Sequence, residues 1–450
     1  MSCLRSLFCA WLVLAIGLAA KADEPKGSRP NIVLILADDL GWGDVSFNGR
    51  AAWATPNLDR LASQGRQLNR FYAGSVTCAP SRAVLLTGRY SIHNGVTLNH
   101  QDLPAGEVTL AEALKNAGYA TALFGKWHHG RTPAGQASYT HPIDQGFEQF
   151  FGFTNAEHAW QKFPEELWDG RAKVPVSGHA DDLFTDRAVK FIDQHQDRPF
   201  FLYLPYISAH FNIEAPAEEV SLHKGKFVEA DPESPLNATY AAMITRFDRN
   251  VGRVLAALDA ANLASNTLVF FTSDHGATFE SGNQGTSNFH DSNSPFRGQK
   301  RTLWEGGIRV PACVRWPGKI MPGTTSDEPM HAIDLWPTLL AAAGVNPPAE
   351  VKRDGVNLLP AWTGQQSAPE RILFWEWRTE GTDQVAAMRG PWKLVISSKG
   401  NPELFQVVND PAERRNAAAQ HPEIVKELKA ALNQWLETEN RMPDTPSNSR

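Results

Sequence analysis

Four short apolar runs punctuate the chain, and each leads to polar residues of the same kinds. Asn31-Ile-Val-Leu-Ile-Leu-Ala37 meets Asp38-Asp39, and Tyr119-Ala-Thr-Ala-Leu-Phe124 meets Gly125-Lys126-Trp127-His128. Phe200-Phe-Leu-Tyr-Leu204 leads to His210, and Leu268-Val-Phe-Phe271 leads to Asp274-His275. Short, continuous, β-rich runs are what strands buried on both faces look like. Between them, residues 109–117, 182–194 and 238–260 repeat their apolar positions at helical spacing. The alternation predicts an α/β fold with a mostly parallel central sheet flanked by helices. Polar residues just beyond such strands gather at one sheet edge, where open α/β sheets bind ligands.

The pattern changes after about residue 340. Residues 344–348 and 360–369 read as loop, and 371–378, 385–388, 392–397 and 404–408 read as closely spaced strands of a small antiparallel sheet. Residues 422–439 form an amphipathic helix, with Ile424, Leu428, Leu432 and Trp435 on one face and Pro422 in the first turn. This divides the chain into an α/β domain over 28–345 and a C-terminal subdomain over 346–450, frayed from Met442 onward. There is no internal repeat. Residues 281–294 are read as a long polar loop at the site mouth.

Composition narrows the class. The 450 residues are 42% hydrophobic, 20% charged and 10% aromatic, which fits a globular chain and not a disordered or multi-span one. The net charge of −6 comes without any basic stripe, which argues against nucleic acid as a partner. Arg5 precedes an apolar stretch that ends in Ala20-Lys21-Ala22, so residues 1–22 are read as a signal peptide and the protein as secreted or periplasmic. The stretch falls short of the ~20 residues of a membrane span, and no stable membrane insertion is expected. Cleavage removes Arg5, Lys21 and no acid, leaving the mature chain two charges more negative than −6. It also removes two of four cysteines; Cys78 and Cys313 remain, enough for one pair at most and too few for a disulfide framework.

The chemistry concentrates around Cys78-Ala-Pro80-Ser81-Arg82-Ala-Val-Leu-Leu86-Thr87-Gly88-Arg89. Pro80 suits a first helical turn and leaves Cys78 just ahead of a helix N-terminus, whose free N–H groups favour an anion. Taken alone, this is either a nucleophile beside an oxyanion site or a buried, inert cysteine. Asp38-Asp39 is either a helix cap or a site at a strand end. His128 and His210 read equally as surface histidines, and Lys300 as a solvated charge.

Together with Gly125-Lys126-Trp127-His128, Ser273-Asp274-His275-Gly276, Lys300 through Glu305-Gly306-Gly307, and Leu404-Phe-Gln-Val-Val-Asn-Asp410-Pro411, the segment resembles the type I sulfatases. These are formylglycine-dependent enzymes with an alkaline-phosphatase-like fold, and the resemblance runs from about residue 30 to 416. It implies a sulfuric ester hydrolase in which a formylglycine-generating enzyme oxidises Cys78. By the same resemblance, Asp38, Asp39, Asp274, His275 and the modified Cys78 hold one Ca²⁺, an ion that prefers oxygen ligands. The hydrated formylglycine attacks sulfur with help from Asp274 as base, giving a sulfo-enzyme intermediate by S–O cleavage. Lys300 and His210 bind the sulfate and protonate the leaving alcohol. His128 deprotonates the second hydroxyl, and Lys126 and Arg82 stabilise the diol and its alkoxide.

Two positions depart from the family pattern. His275 stands where many members carry Asn, and a softer imidazole ligand leaves the metal's identity open. His129 follows His128 where an apolar residue is frequent, and is read as filling the turn. A sulfated carbohydrate is the expected substrate, with His93, His100, Trp377 and Arg378 as candidate substrate-binding residues. Trp160 and Trp168 are assigned to the core, and the sequon at Asn237 is too short to carry weight. The rivals are a phosphonate monoester or phosphodiester hydrolase of the same superfamily and an inactive sulfated-glycan-binding protein. Pro80-Ser81-Arg82, Lys126 and Lys300 favour sulfate.

Overall fold

The computed structural model describes residues 29–130, 140–348, 351–378, 383–398 and 400–438. The leader read at 1–22 and the tail from Met442 lie outside them.

A ten-stranded sheet forms the centre. Its middle strands run in the order Thr267–Ser273, Asn31–Asp38, Phe200–Ala209, Ala120–Lys126, all parallel. Gln149–Phe153 adds a further parallel strand, while Ala312–Arg315 and the hairpin Glu166–Asp169/Ala172–Pro175 join antiparallel toward the edges. The central strand shows why its apolar run is unbroken. Ile32, Leu34 and Leu36 enter one core with Ala79, Ala83, Leu110 and Leu335, while Val33, Ile35 and Ala37 enter another with Phe184, Ala188, Tyr240 and Val251. Side chains alternate across a strand, so one run supplies both layers of helices.

The Phe200–Ala209 strand extends beyond its apolar run, past Pro205, because pairing with Asn31–Asp38 resumes after an irregularity between Leu36 and Asp38. Gly125 permits the neighbouring strand's approach. Its φ is +140°, and a Cβ there would lie 2.1 Å from Pro205 O.

A four-stranded antiparallel sheet, Ile372–Trp377, Gln384–Arg389, Trp392–Ser397 and Glu403–Gln406, follows, with helix Pro422–Leu436 against it. Leu428, Leu432 and Trp435 join Ala387, Leu394 and Leu404 in the same cluster as the central sheet's Ile32 and Leu34. A buried ion network adds to this apolar contact. Lys393 Nζ lies 2.7 Å from Glu305 Oε1 and 2.8 Å from Glu413 Oε1, and Tyr72 OH donates to Glu305 Oε2 at 2.9 Å.

Two expected loops are more ordered than their composition suggests. Within 360–369, Pro360 opens a helical turn, Leu359–Trp362, that buries Trp362. Within 281–294, Asn283 Oδ1 accepts from Thr286 Oγ1 and Ser287 N, stabilising the turn Thr286–Phe289. Cys78 and Cys313 are both free and buried, so the single possible disulfide does not form.

Asp44 gives the fold a pH-dependent component. Its carboxyl accepts from Tyr240 OH at 2.8 Å and Gly41 N at 3.0 Å, with Arg50 3.6 Å from the other oxygen. Burial outweighs these partners and pushes it up to about 6. The folded state thus holds this proton more tightly than the unfolded chain, and ionisation costs stability as pH rises from about 4 to about 6, at most ~3 kcal/mol. Melting temperatures across that window should contain a falling component that Asp44→Asn removes. An identical pH profile in the variant would contradict the assignment.

Candidate active site

The middle strands deliver polar residues to one edge. Asp38 and Lys126 close their strands, while His210 and Asp274 each stand one residue beyond theirs. Register brings them together, with Asp38 opposite Ala209 and Ala37 opposite Ser273. Asp39 has φ 61° and His128 φ 79°, left-handed conformations that strain a residue bearing a side chain and cluster at functional sites.

Charge is balanced within this edge. Lys126 Nζ donates to Asp38 Oδ2 at 2.6 Å, and Lys300 Nζ donates to both oxygens of Asp39 at 3.0 Å. Arg82 Nε and Nη2 donate to Asp274 Oδ2 at 3.1 and 2.9 Å, Nη2 lies 3.0 Å from Asp38 Oδ1, and Nη1 donates to Lys126 O at 3.1 Å. Burial pushes each carboxyl toward protonation. Lys126 and Arg82 more than offset it at Asp38, holding it well below the usual range, and Lys300 with His210 and His275 lowers Asp39. Asp274 stays raised, because burial there is joined by repulsion from Asp38 and Asp39.

Cys78 is the first residue of helix Cys78–Thr87, one position further in than the sequence suggests. Ser81 Oγ donates to Asp274 O, and Arg82 reaches the carboxylates, so the helix's first turn is fastened to the sheet edge. Ala79 N donates to Asn99 Oδ1 at 3.0 Å. Cys78 Sγ lies 3.2 Å from His275 Nε2, 3.6 Å from Lys300 Nζ and 4.0 Å from Asp39 Oδ1.

The three histidines differ. His275 Nδ1 lies 3.0 Å from Gly276 O; a carbonyl only accepts, so Nδ1 carries hydrogen and Nε2 faces the acids. Burial pulls His275 down, but Asp274, Cys78 and Asp39 prevail and raise it to about 9. His210 Nδ1 likewise donates to Phe211 O at 2.7 Å, leaving Nε2 3.8 Å from Asp39 Oδ2. Burial pushes His210 down to about 3. Both nitrogens of His128 are buried without a partner, and burial, Lys126 and Arg82 hold it well below its ordinary value. It is therefore neutral in the folded protein.

The donor set suits a hard divalent cation. Asp39, Cys78 and His275, and likewise Asp38, Cys78 and Asp274, hold their ligand atoms within 4.8 Å of one another. Asp38 Oδ1 is buried and has no aligned hydrogen bond, its neighbour being Arg82 Nη2 at 3.0 Å. The three carboxylates supply the oxygen ligands such an ion prefers, while the His275 imidazole is a softer donor.

Comparison with known proteins agrees with this chemistry. The Sulfatase family model matches residues 30–345. The chain belongs to the sulfatase family. A second model, the C-terminal region of N-sulphoglucosamine sulphohydrolase, matches 297–439. This sulfatase is 34% identical to the N-acetylgalactosamine-6-sulfatase of Mus musculus over 89% of its own length and 84% of the relative. It is 31% identical to the steryl-sulfatase of the same species, over 93% and 84%. Among solved structures, Ps i-CgsB superposes with a TM-score of 0.83 at 29% identity, covering 92% of this chain and 94% of that one. The enzyme is therefore a sulfuric ester hydrolase with the fold of its relatives.

All ten catalytic and metal-ligand positions read from the sequence meet in this one cluster, but the four substrate-binding candidates do not join it. His93 Nδ1 contacts Asp354 at 2.7 Å and Nε2 contacts Thr438 at 2.6 Å. Arg378 pairs with Glu376, Trp377 is half-buried against the C-terminal sheet, and His100 is exposed beside Asn99. Trp160 departs from its core assignment: it is 38% exposed and packs on Phe211, ring centroids 5.3 Å apart. Trp168 is half-buried. His129 is buried edge-on to Trp127. Sequence reasoning missed Asn99 and the buried Lys162, whose partners are backbone groups and leave no mark in residue spacing.

Proposed function

We propose that this sulfatase hydrolyses sulfate monoesters of carbohydrates, using a formylglycine made from Cys78 and one Ca²⁺ held by Asp38, Asp39, Asp274, His275 and residue 78. The observation that carries the reading is the closed arrangement around Cys78 of three carboxylates, three fixed cations and two neutral histidines. The three carboxylates and the cations Arg82, Lys126 and Lys300 cancel, so a bound dication gives the site the positive charge an anionic ester needs.

A hydrated formylglycine at residue 78 would supply the attacking oxygen, and an ion held by Asp38, Asp39, Asp274 and His275 would supply the Lewis acidity that lowers its pKa. Arg82 and Lys126 fix the carboxylates behind residue 78 and stabilise negative charge there. Lys300, close to both Cys78 and Asp39, binds the sulfate oxygens. His210 has its Nδ1 committed to Phe211 O, so Nε2 is the atom left to face the ester. It carries no proton in the free enzyme and acts as the acid toward the leaving alcohol once it has taken one up beside the anionic sulfate. Neutral His128 takes the proton whose removal from residue 78 releases sulfate.

Support for a sugar comes from relatives. One is named for N-acetylgalactosamine 6-sulfate chemistry, and Ps i-CgsB is also solved with k-i-k-neocarrahexaose. The exposed Trp160, packed on the Phe211 that follows His210, offers an aromatic face of the kind that stacks on sugar rings. The leader pattern supports export to the periplasm or medium. Among the described residues, no helix is long and apolar enough to cross a membrane.

The test uses enzyme purified from its producer. It should release sulfate from 4-nitrophenyl sulfate, lose at least about 10³-fold in rate after exhaustive chelation, and recover with Ca²⁺. Among natural esters, sulfated N-acetylhexosamines or carrageenan oligosaccharides should exceed a steroid sulfate in kcat/KM. Preference for bis(4-nitrophenyl) phosphate over the aryl sulfate would overturn the sulfate assignment, and preference for the steroid ester would overturn the sugar.

A further inference from the structure

Lys162 is fully buried, lies outside the catalytic cluster and has no part in the chemistry above. Its Nζ donates to Ile207 O at 2.8 Å. That same carbonyl accepts the backbone N–H of His210 at 3.1 Å. Asp181, also fully buried, acts on the same stretch. It accepts from Ile207 N at 3.0 Å and from Ser208 Oγ at 2.6 Å. The two holds are linked, since Ala180 N donates to Lys162 O at 2.8 Å, and Asn212 N donates to Trp160 O at 3.3 Å at the far end.

Segment 207–212 is therefore fastened on both sides of His210. The imidazole itself has no side-chain partner for Nδ1, which donates to Phe211 O of the same segment. The direction of Nε2 is thus set by where this backbone lies. A buried ammonium and a buried carboxylate are costly in an apolar interior, and spending both on one short segment needs a reason beyond folding. We propose that Lys162 and Asp181 are positioning residues that aim His210 Nε2 at the leaving oxygen of the sulfate ester. The inference rests on His210 being the proton donor.

Leaving-group dependence tests it. Phenolate is a far stronger base than 4-nitrophenolate, so phenyl sulfate depends more on a well-aimed acid than 4-nitrophenyl sulfate does. Lys162→Met should lower kcat on phenyl sulfate at least about tenfold more than on 4-nitrophenyl sulfate. Asp181→Asn should show the same selectivity, and it carries the test together with Ser208→Ala if Lys162→Met does not fold. In a His210→Asn background, Lys162→Met should add less than about twofold on phenyl sulfate, because residues acting through one group are not additive. Equal losses on both esters, or full additivity with His210→Asn, would overturn the inference. If His210→Asn alone affects both esters equally, the proton-donor reading fails first and the inference fails with it.

Discussion

Cys78→Ala should lose at least about 10⁴-fold in kcat/KM on 4-nitrophenyl sulfate while melting within a few degrees of the parent. The residue opens its helix and is 1% exposed. Alanine suits that position and removes only a sulfur atom, and the hydrogen bonds of Ser81, Arg82 and Ala79 that dock the helix are untouched. The attacking oxygen is lost with the thiol from which formylglycine is made. No neighbouring group can replace it: Lys300 and His275 already face Asp39, and the carboxylates are tied to Arg82 and Lys126. Sulfate release and a thermal melt on the same preparation check both halves. A folded Cys78→Ala enzyme with more than about a hundredth of parental activity would contradict the nucleophile assignment.

Arg82→Leu should affect both stability and catalysis. The guanidinium is fully buried and meets Asp38, Asp274 and Lys126 O together. Leucine leaves two buried carboxylates short of a cation, and removing one partner of such a pair costs about 3–5 kcal/mol. Denaturant unfolding should show a loss of that size. Arg82→Lys should recover part of it, since a point charge returns while the fork that spans two carboxylates does not. Activity should fall at least about 10³-fold in both variants, because neither presents donors in the native arrangement to residue 78. Parental stability in Arg82→Leu would mean that the carboxylates are neutralised by another route.

The edge that carries the candidate site was legible because apolar runs end at or near the residues that matter. The run 31–37 stops at Asp38, and 119–124 stops just short of Lys126. The full extent of strand Phe200–Ala209 was less visible, because Pro205 reads as a terminator while pairing with the central strand carries on around it. Lys162 and Asp181 were invisible for a different reason. Their partners are largely backbone groups 45 and 26 positions away, and any residue at 207 presents the same carbonyl and amide. His93 attracted a substrate role on residue type alone, but both its nitrogens are engaged by Asp354 and Thr438, 261 and 345 positions distant. Trp160 shows the limit of composition: an aromatic announces buried area, but the fold leaves this one 38% exposed beside Phe211.

Peptide mass spectrometry across residue 78, on enzyme purified from its producer, tests the central claim most directly. Conversion of the thiol to formylglycine makes the peptide ~18 Da lighter. That loss should be present in the active enzyme, with the converted fraction tracking kcat on 4-nitrophenyl sulfate across preparations. Full sulfatase activity from a peptide that carries an intact Cys78 thiol would contradict the mechanism.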